Sequence, residues 1–217
     1  MKGNTQNTGW GAKWCNGGMG ALSLAAMLCL VFLGEVRAET LSATVNMGSC
    51  AVIADPTSIA MEDLDPSPLV NQHWAVLNQT PLTIKLSNCS GLGASDGTPV
   101  VTVSGNTTTD PVMSTYKKYF FINGNSTAVG FGFTLQKAVN GAGNNNNLLV
   151  IDGEHLYIPK STTAPTGPWY GKGETLTGDH VVPLKVEVSC GEKSWCSPSR
   201  LKAGDINADV TFTFAYK

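Results

Sequence analysis

Apolar and polar residues alternate with a period of two through much of the chain. Leu41, Ala43, Val45 and Met47 are separated by Ser42, Thr44 and Asn46, and Leu82, Ile84 and Leu86 by Thr83 and Lys85. Phe131, Phe133 and Leu135 keep the same rhythm, as do Val182, Leu184, Val186 and Val188, and Val210, Phe212, Phe214 and Tyr216. Successive side chains of an extended chain point to opposite faces, so each run predicts a strand with one apolar face. A shorter strand is expected around Val101 and Val103 after Pro99, with further ones at Tyr119–Ile122, Leu148–Ile151 and Leu156–Ile158. Stretches rich in Gly, Asn, Thr and Pro at 91–98, 105–111, 140–147 and 161–173 read as turns. No segment keeps a 3.6-residue period, and no repeat or break in composition divides the chain. The expected fold is all-β: one antiparallel β-sandwich whose core is the inward residues of two sheets. Pro183 has no amide proton and predicts an edge or a bulge in its strand.

Composition agrees with that reading and narrows the function. Charged residues are 14% of the 217, against about a quarter in ordinary globular chains, while Gly (24), Thr (22) and Asn (16) are abundant. Formal net charge is −2 and the only arginines are Arg37 and Arg200, so no basic stripe is available to nucleic acid. Residues 19–33 form an uncharged apolar run, preceded by Lys2 and Lys13 and followed by Val36-Arg37-Ala38. This pattern predicts a secretory signal over residues 1–38, cut after Ala38, with one domain over 39–217. The run is shorter than the roughly 20 residues a membrane-spanning helix needs.

Cys15 and Cys29 leave with the signal, and Cys50, Cys89, Cys190 and Cys196 remain. An even number in an exported chain points to two disulfides. Three pairings are possible, of which 50–89 and 190–196 is the simplest. There is no CxxC pair, and His73, His155 and His180 are scattered singly. Asp152-Gly153-Glu154-His155 could hold a metal, but a turn between strands explains it better. No catalytic triad, paired-carboxylate motif or phosphate loop appears, so no catalytic, cofactor-binding or metal-binding residue is assigned and an enzyme is not expected.

An ordinary immunoglobulin domain would bridge its strands B and F by a disulfide, with a tryptophan on strand C between them. Trp74 does fall between Cys50 and Cys89. The interval is too short for three intervening strands, and Ser87 stands where that fold places a tyrosine. A Cys50–Cys89 bridge is therefore expected to join the first two major strands.

Four features in order resemble the chaperone–usher pilin subunits of Gram-negative fimbriae, similar to the type 1 and P fimbrial pilins. They are Cys50 in TVNMGSCAV soon after the signal, Cys89 closing LTIKLSNC, the glycine-spaced run VGFGFTLQ at 129–136, and the terminus AGDINADVTFTFAYK. In that terminus Tyr216 is penultimate and Gly204 is the fourteenth residue from the end, as in the family's signature. The resemblance implies an incomplete immunoglobulin-like sandwich that lacks its last strand. A groove then lies open along the C-terminal strand. A periplasmic chaperone fills it first, and at the outer-membrane usher a neighbouring pilin subunit donates a strand instead. Such strand addition works by backbone pairing plus side-chain pockets.

Carried onto this chain, the groove would be formed by Gly204, Val210, Phe212, Phe214 and Tyr216, with the Lys217 carboxylate anchoring in the chaperone. The second disulfide, Cys190–Cys196, departs from the common pattern and would pin the connection before the last strand. The implied role is a structural subunit of a cell-surface fimbrium, exported through the periplasm and contributing to cell adhesion. Leu41, Ala43, Val45 and Met47 are the candidate donor strand. It is short, and Ala43 stands where the family usually has glycine: the two readings are a minor or tip-proximal subunit that donates poorly, and a short but working extension with Leu41, Ala43 and Val45 as its pocket fillers. The alternative is a single-domain tip adhesin binding a host receptor, glycan or protein, through Trp169 and Tyr170 in the Pro/Gly-rich stretch 165–173.

Overall fold

The computed structural model describes residues 48–139, 142–143, 147–161 and 167–217. The expected export signal over residues 1–38 and the Leu41–Met47 alternation lie outside the described residues. Seven strands follow in chain order: β1 (Ser49–Asp55), β2 (Val76–Ser90), β3 (Pro99–Gly105), β4 (Gly132–Lys137), β5 (His155–Tyr157), β6 (Gly178–Ser189) and β7 (Val210–Tyr216). They form two antiparallel sheets, ordered β1-β2-β6-β4 and β5-β3-β7. The helical pieces among the described residues are three 3₁₀ turns, so none is long and apolar enough to cross a membrane.

The period-two runs become the inner faces of the sandwich. Leu82, Ile84 and Leu86 of β2 and Val182, Leu184 and Val186 of β6 are buried, facing Val101 and Val103 of β3 and Leu156 of β5. Phe121, Leu135, Val150, Ile158 and Leu176 fill the space between. Cys50 is bonded to Cys89, joining β1 to β2, and Cys190 is bonded to Cys196.

Several local expectations need correction. Tyr119–Ile122 is not a strand. A 3₁₀ turn at Lys117–Tyr119 leads into Phe121, which makes single bridges to Thr107 and Phe133. Leu148–Ile151 contributes a single antiparallel bridge, Leu149 to Gln136, flanked by backbone hydrogen bonds from Lys137 N–H to Leu148 and from Val150 N–H to Leu135, and the pairing goes no further. The glycine-spaced run starts pairing as a strand at Gly132, not Val129. Gly130 has φ +81°, and a Cβ there would lie 2.9 Å from Leu201, so the backbone turns before it can extend. Pro183 sits in β6, an inner strand, paired with Thr83; on its other flank β4 stops pairing at Leu184. The proline thus occupies a local edge of an inner strand, where an amide proton is not required.

One side of the sandwich is laced shut. Phe121 and Phe133 exchange backbone hydrogen bonds, Lys137 N–H donates to Leu148, and Val150 N–H donates to Leu135. Gly143 bridges to Leu156 of β5, so β4 and β5 are joined through the intervening loop. Beneath it, Lys137 Nζ lies 2.8 Å from Glu154 Oε1, with the two side chains 1% and 0% exposed. Glu154 Oε2 also accepts from Ile151 N–H at 3.0 Å.

Candidate functional site

The opposite side of the sandwich is different. Among the described residues, β1 pairs with β2 alone and β7 with β3 alone, so each presents an unpaired edge. About half the N–H and C=O groups of such an edge strand point away from its one partner. The two edges belong to different sheets and flank an apolar groove.

The groove holds two cavities. The smaller, about 270 Å³, is lined by Ala54, Ile59, Leu82, Phe133, Val210 and Phe212 among others. The larger, about 570 Å³, lies between Ile59–Leu64 on one wall and Ala203–Asn207 on the other, over Leu77, Phe131 and Val188. Side chains here are half-buried where their counterparts inside the sheets are buried. Val210, Phe212 and Phe214 each retain solvent contact, as do Ile59, Met61, Leu64 and Ile206. Ile53 on β1 is 52% exposed.

Sequence patterning accounts for the wall formed by β7. Its residues pair in register with β3 from Tyr216 opposite Pro99 to Val210 opposite Gly105, which turns Val210, Phe212 and Phe214 inward and leaves Thr211 and Thr213 exposed. Gly204 lines the larger cavity. Its residue type follows from close approach, since a Cβ would sit 2.6 Å from Ala128 N and 2.7 Å from Thr127 Oγ1. The segment bearing Gly204 is thereby pressed against Thr127 and Ala128.

The residues named from the C-terminal signature do not all gather at one place. Gly204, Val210 and Phe212 line the two cavities. Phe214 and Tyr216 lie further along, stacked edge to face with centroids 5.3 Å apart. The Tyr216 hydroxyl accepts from Leu176 N–H, and its ring lies beside Gly48, near the Cys50 end of β1. Lys217 is exposed and its backbone pairs with Thr98 in both directions. Leu41, Ala43, Val45 and Met47 lie outside the described residues.

Trp169 and Tyr170 are both half-buried. Tyr170 packs against the main core and meets His180 edge to face, with Lys160 Nζ 5.7 Å above its ring. Glu174 pins this loop by accepting from Lys160 Nζ and Gly171 N–H. The lysine first, then the glycine amide, hold the Glu174 carboxyl below the usual carboxylate range.

The other singled-out groups have structural surroundings. The Cys190–Cys196 bridge closes the loop that carries Trp195, and Trp195 packs with Met113 and Phe120 beneath Trp74, Tyr116 and Tyr119. In the 152–155 cluster the side chains diverge. Asp152 accepts from Gly105 N–H, Glu154 is buried against Lys137, and His155 belongs to β5. No group of potential ligands that could hold a metal is found among the described residues.

Sequence reasoning passed over the second wall of the groove. The spacing of Ile59, Met61 and Leu64 was a signal, masked by the Asp, Pro and Ser around them. Ala203–Asn207 gave none beyond Gly204, because the segment lies in no strand.

No known family profile and no curated protein sequence matches the chain. Solved structures resemble it at low identity. The P pilus rod subunit PapA is 20% identical over 78% of this chain and 99% of its own, with a TM-score of 0.48. A chaperone–usher pilus structure is 16% identical, covering 85% of this chain and 97% of that one, at 0.46. The CupB6 tip adhesin from Pseudomonas aeruginosa is 15% identical over 68% of this chain, which spans 33% of the adhesin, at 0.40. The protein is thus similar in structure to chaperone–usher pilus proteins.

Proposed function

We propose that the groove between β1 and β7 accepts an extended strand from another polypeptide, and that the protein is a fimbrial subunit assembled by donor-strand exchange. The observation that carries this is the pair of unpaired strand edges flanking half-buried apolar side chains. An inserted strand would pair with the free groups of β7 and bury Val210, Phe212 and Phe214, restoring both the hydrogen bonds and the core. On this reading a periplasmic chaperone occupies the groove first and a neighbouring subunit, delivered at an outer-membrane usher, replaces it. Residues 1–38 direct export, residues 39–217 form the subunit, and the destination is the cell-surface fimbrium. On the same reading, the short Leu41–Met47 segment favours a minor or tip-proximal subunit. Its role is structural rather than enzymatic.

The reading is tested by appending an alternating Val/Thr strand to Lys217 through a flexible linker. The appended chain should be monodisperse and unfold cooperatively at a higher urea midpoint than residues 39–217 alone. If residues 39–217 alone are monomeric, cooperative and equally stable, the groove is not an acceptor.

A further inference from the structure

The groove has a charge as well as a shape. Every charged residue that lines either cavity is a carboxylate: Glu62, Asp63 and Asp205 at the larger, Asp209 at the smaller. All four are exposed at the rim. No lysine or arginine among the described residues pairs with any of them; the one side-chain partner of Asp209 is the neutral amide of Asn123, at 2.7 Å. The floor between them is apolar, with Ile59, Met61, Leu64, Phe131 and Ile206.

A strand lying in this groove turns alternate residues to the floor and the others to the rim. The floor asks for apolar side chains. The rim asks for positive ones, because a neutral or acidic residue leaves the rim carboxylates without a counter-charge.

Residues 39–47 of the chain itself read Glu-Thr-Leu-Ser-Ala-Thr-Val-Asn-Met. They supply the apolar set, Leu41, Ala43, Val45 and Met47. The alternate set is Thr40, Ser42, Thr44 and Asn46, all neutral, and Glu39 adds a negative charge. A second copy of the chain therefore offers the right shape and no counter-charge.

We infer that the groove selects an apolar strand bearing lysine or arginine at its rim-facing positions, supplied by a different protein, in preference to residues 39–47 of another copy. This rests on the reading of the groove as a strand acceptor. Its consequence is that the chain is incorporated beside unlike neighbours rather than polymerised on itself.

Three labelled peptides test it against residues 39–217 by fluorescence anisotropy: the native 39–47 sequence, the same peptide with Thr40→Lys, Ser42→Lys and Thr44→Lys, and the same with glutamate at those positions. Salt is set at roughly 0.02 M and 0.5 M, where the Debye length is about 20 Å and about 4 Å. At low salt the lysine peptide should bind about tenfold tighter than the native one and the glutamate peptide about tenfold weaker, with the spread collapsing at high salt. The triple variant Glu62→Gln, Asp63→Asn, Asp205→Asn should compress the spread between the lysine and glutamate peptides, which separates the rim from the overall acidity of the protein. Equal binding of all three peptides at low salt, or an undiminished spread on the triple variant, overturns charge selection while leaving the groove an acceptor. Binding by none of them at either salt overturns the acceptor reading and the selection together.

Discussion

The two sides of the sandwich solve the same problem in opposite ways. Each sheet ends in an edge strand on each side, and an edge leaves backbone groups unpaired. On the β4–β5 side the chain covers its own edges. Phe121, Leu148 and Val150 bond to β4, Gly143 bridges to β5, and the buried Lys137–Glu154 pair lies beneath. On the β1–β7 side, among the described residues, neither edge strand has a second hydrogen-bonded partner. The two strands come close where Tyr216 lies beside Gly48, and apolar cavities lined by half-buried side chains open toward and beyond Ala54, Val210 and Phe212. The apolar alternation of β7 matches that of β2, yet Leu82, Ile84 and Leu86 are buried while Val210, Phe212 and Phe214 are not. An apolar face is finished only when something is packed on it, and on this side none of the described residues completes the packing.

The sharpest way to break the closed side is through its ion pair. Glu154→Ala leaves Lys137 without its 2.8 Å carboxylate in a dry site, and should lower unfolding free energy in urea by about 3–5 kcal/mol. The paired replacement Lys137→Met with Glu154→Leu should recover most of that loss, since both charges go together. A single substitution that proves harmless would mean the site is wet and the closed side is not sealed.

Truncating one apolar residue on each side compares the two directly. Leu156→Ala on β5, fully buried, is expected to cost about 2–5 kcal/mol. Phe212→Ala on β7 removes a larger side chain but should cost residues 39–217 only about 1–3 kcal/mol, because that ring is not fully buried. The ranking should reverse when a groove-filling strand is appended. Equal losses in the isolated chain would show that the two sides do not differ.

Gly204→Ala examines the wall of the groove. The added methyl would meet Ala128 N at 2.6 Å, a backbone atom that cannot swing aside. A loss of about 1–3 kcal/mol is expected, together with weaker strand binding as the 203–207 segment is displaced. Unchanged affinity alongside lowered stability would separate Gly204 from the groove.

The smallest effect concerns the loop of Trp169 and Tyr170. Glu174 has its folded pKa below its unfolded value near 4.5, so its support is complete above that pH and is lost as pH falls through the folded value. The Gly171 amide resonance should follow this titration, and Glu174→Gln should abolish it. Neither change should alter binding in the groove, which the loop does not line.

Much of the fold was legible because strand alternation is local. Leu82–Leu86, Val182–Val188 and Val210–Tyr216 each announced a strand through their own neighbours, and the four cysteines Cys50, Cys89, Cys190 and Cys196 form the two bridges that their even number suggested. Charge buried by a distant partner could not be read this way. Lys137 lies beside a turn-rich stretch and Glu154 inside an apparent turn, and only the packing of the end of β4 against the start of β5 makes them a pair. Tyr119–Ile122 failed for a related reason, since a short apolar run becomes a strand only if an extended neighbour lies alongside it.

By itself the sequence determined which residues alternate, which face of each strand is apolar, and that Gly204 and Tyr216 close a recognisable terminus. The tertiary structure alone decided which strand edges are paired among the described residues. It also brought Ile59–Leu64 opposite Ala203–Asn207, and collected Glu62, Asp63, Asp205 and Asp209 around one groove. The reason is physical: alternation is a property of adjacent residues, whereas coverage and charge convergence arise between segments separated by much of the chain.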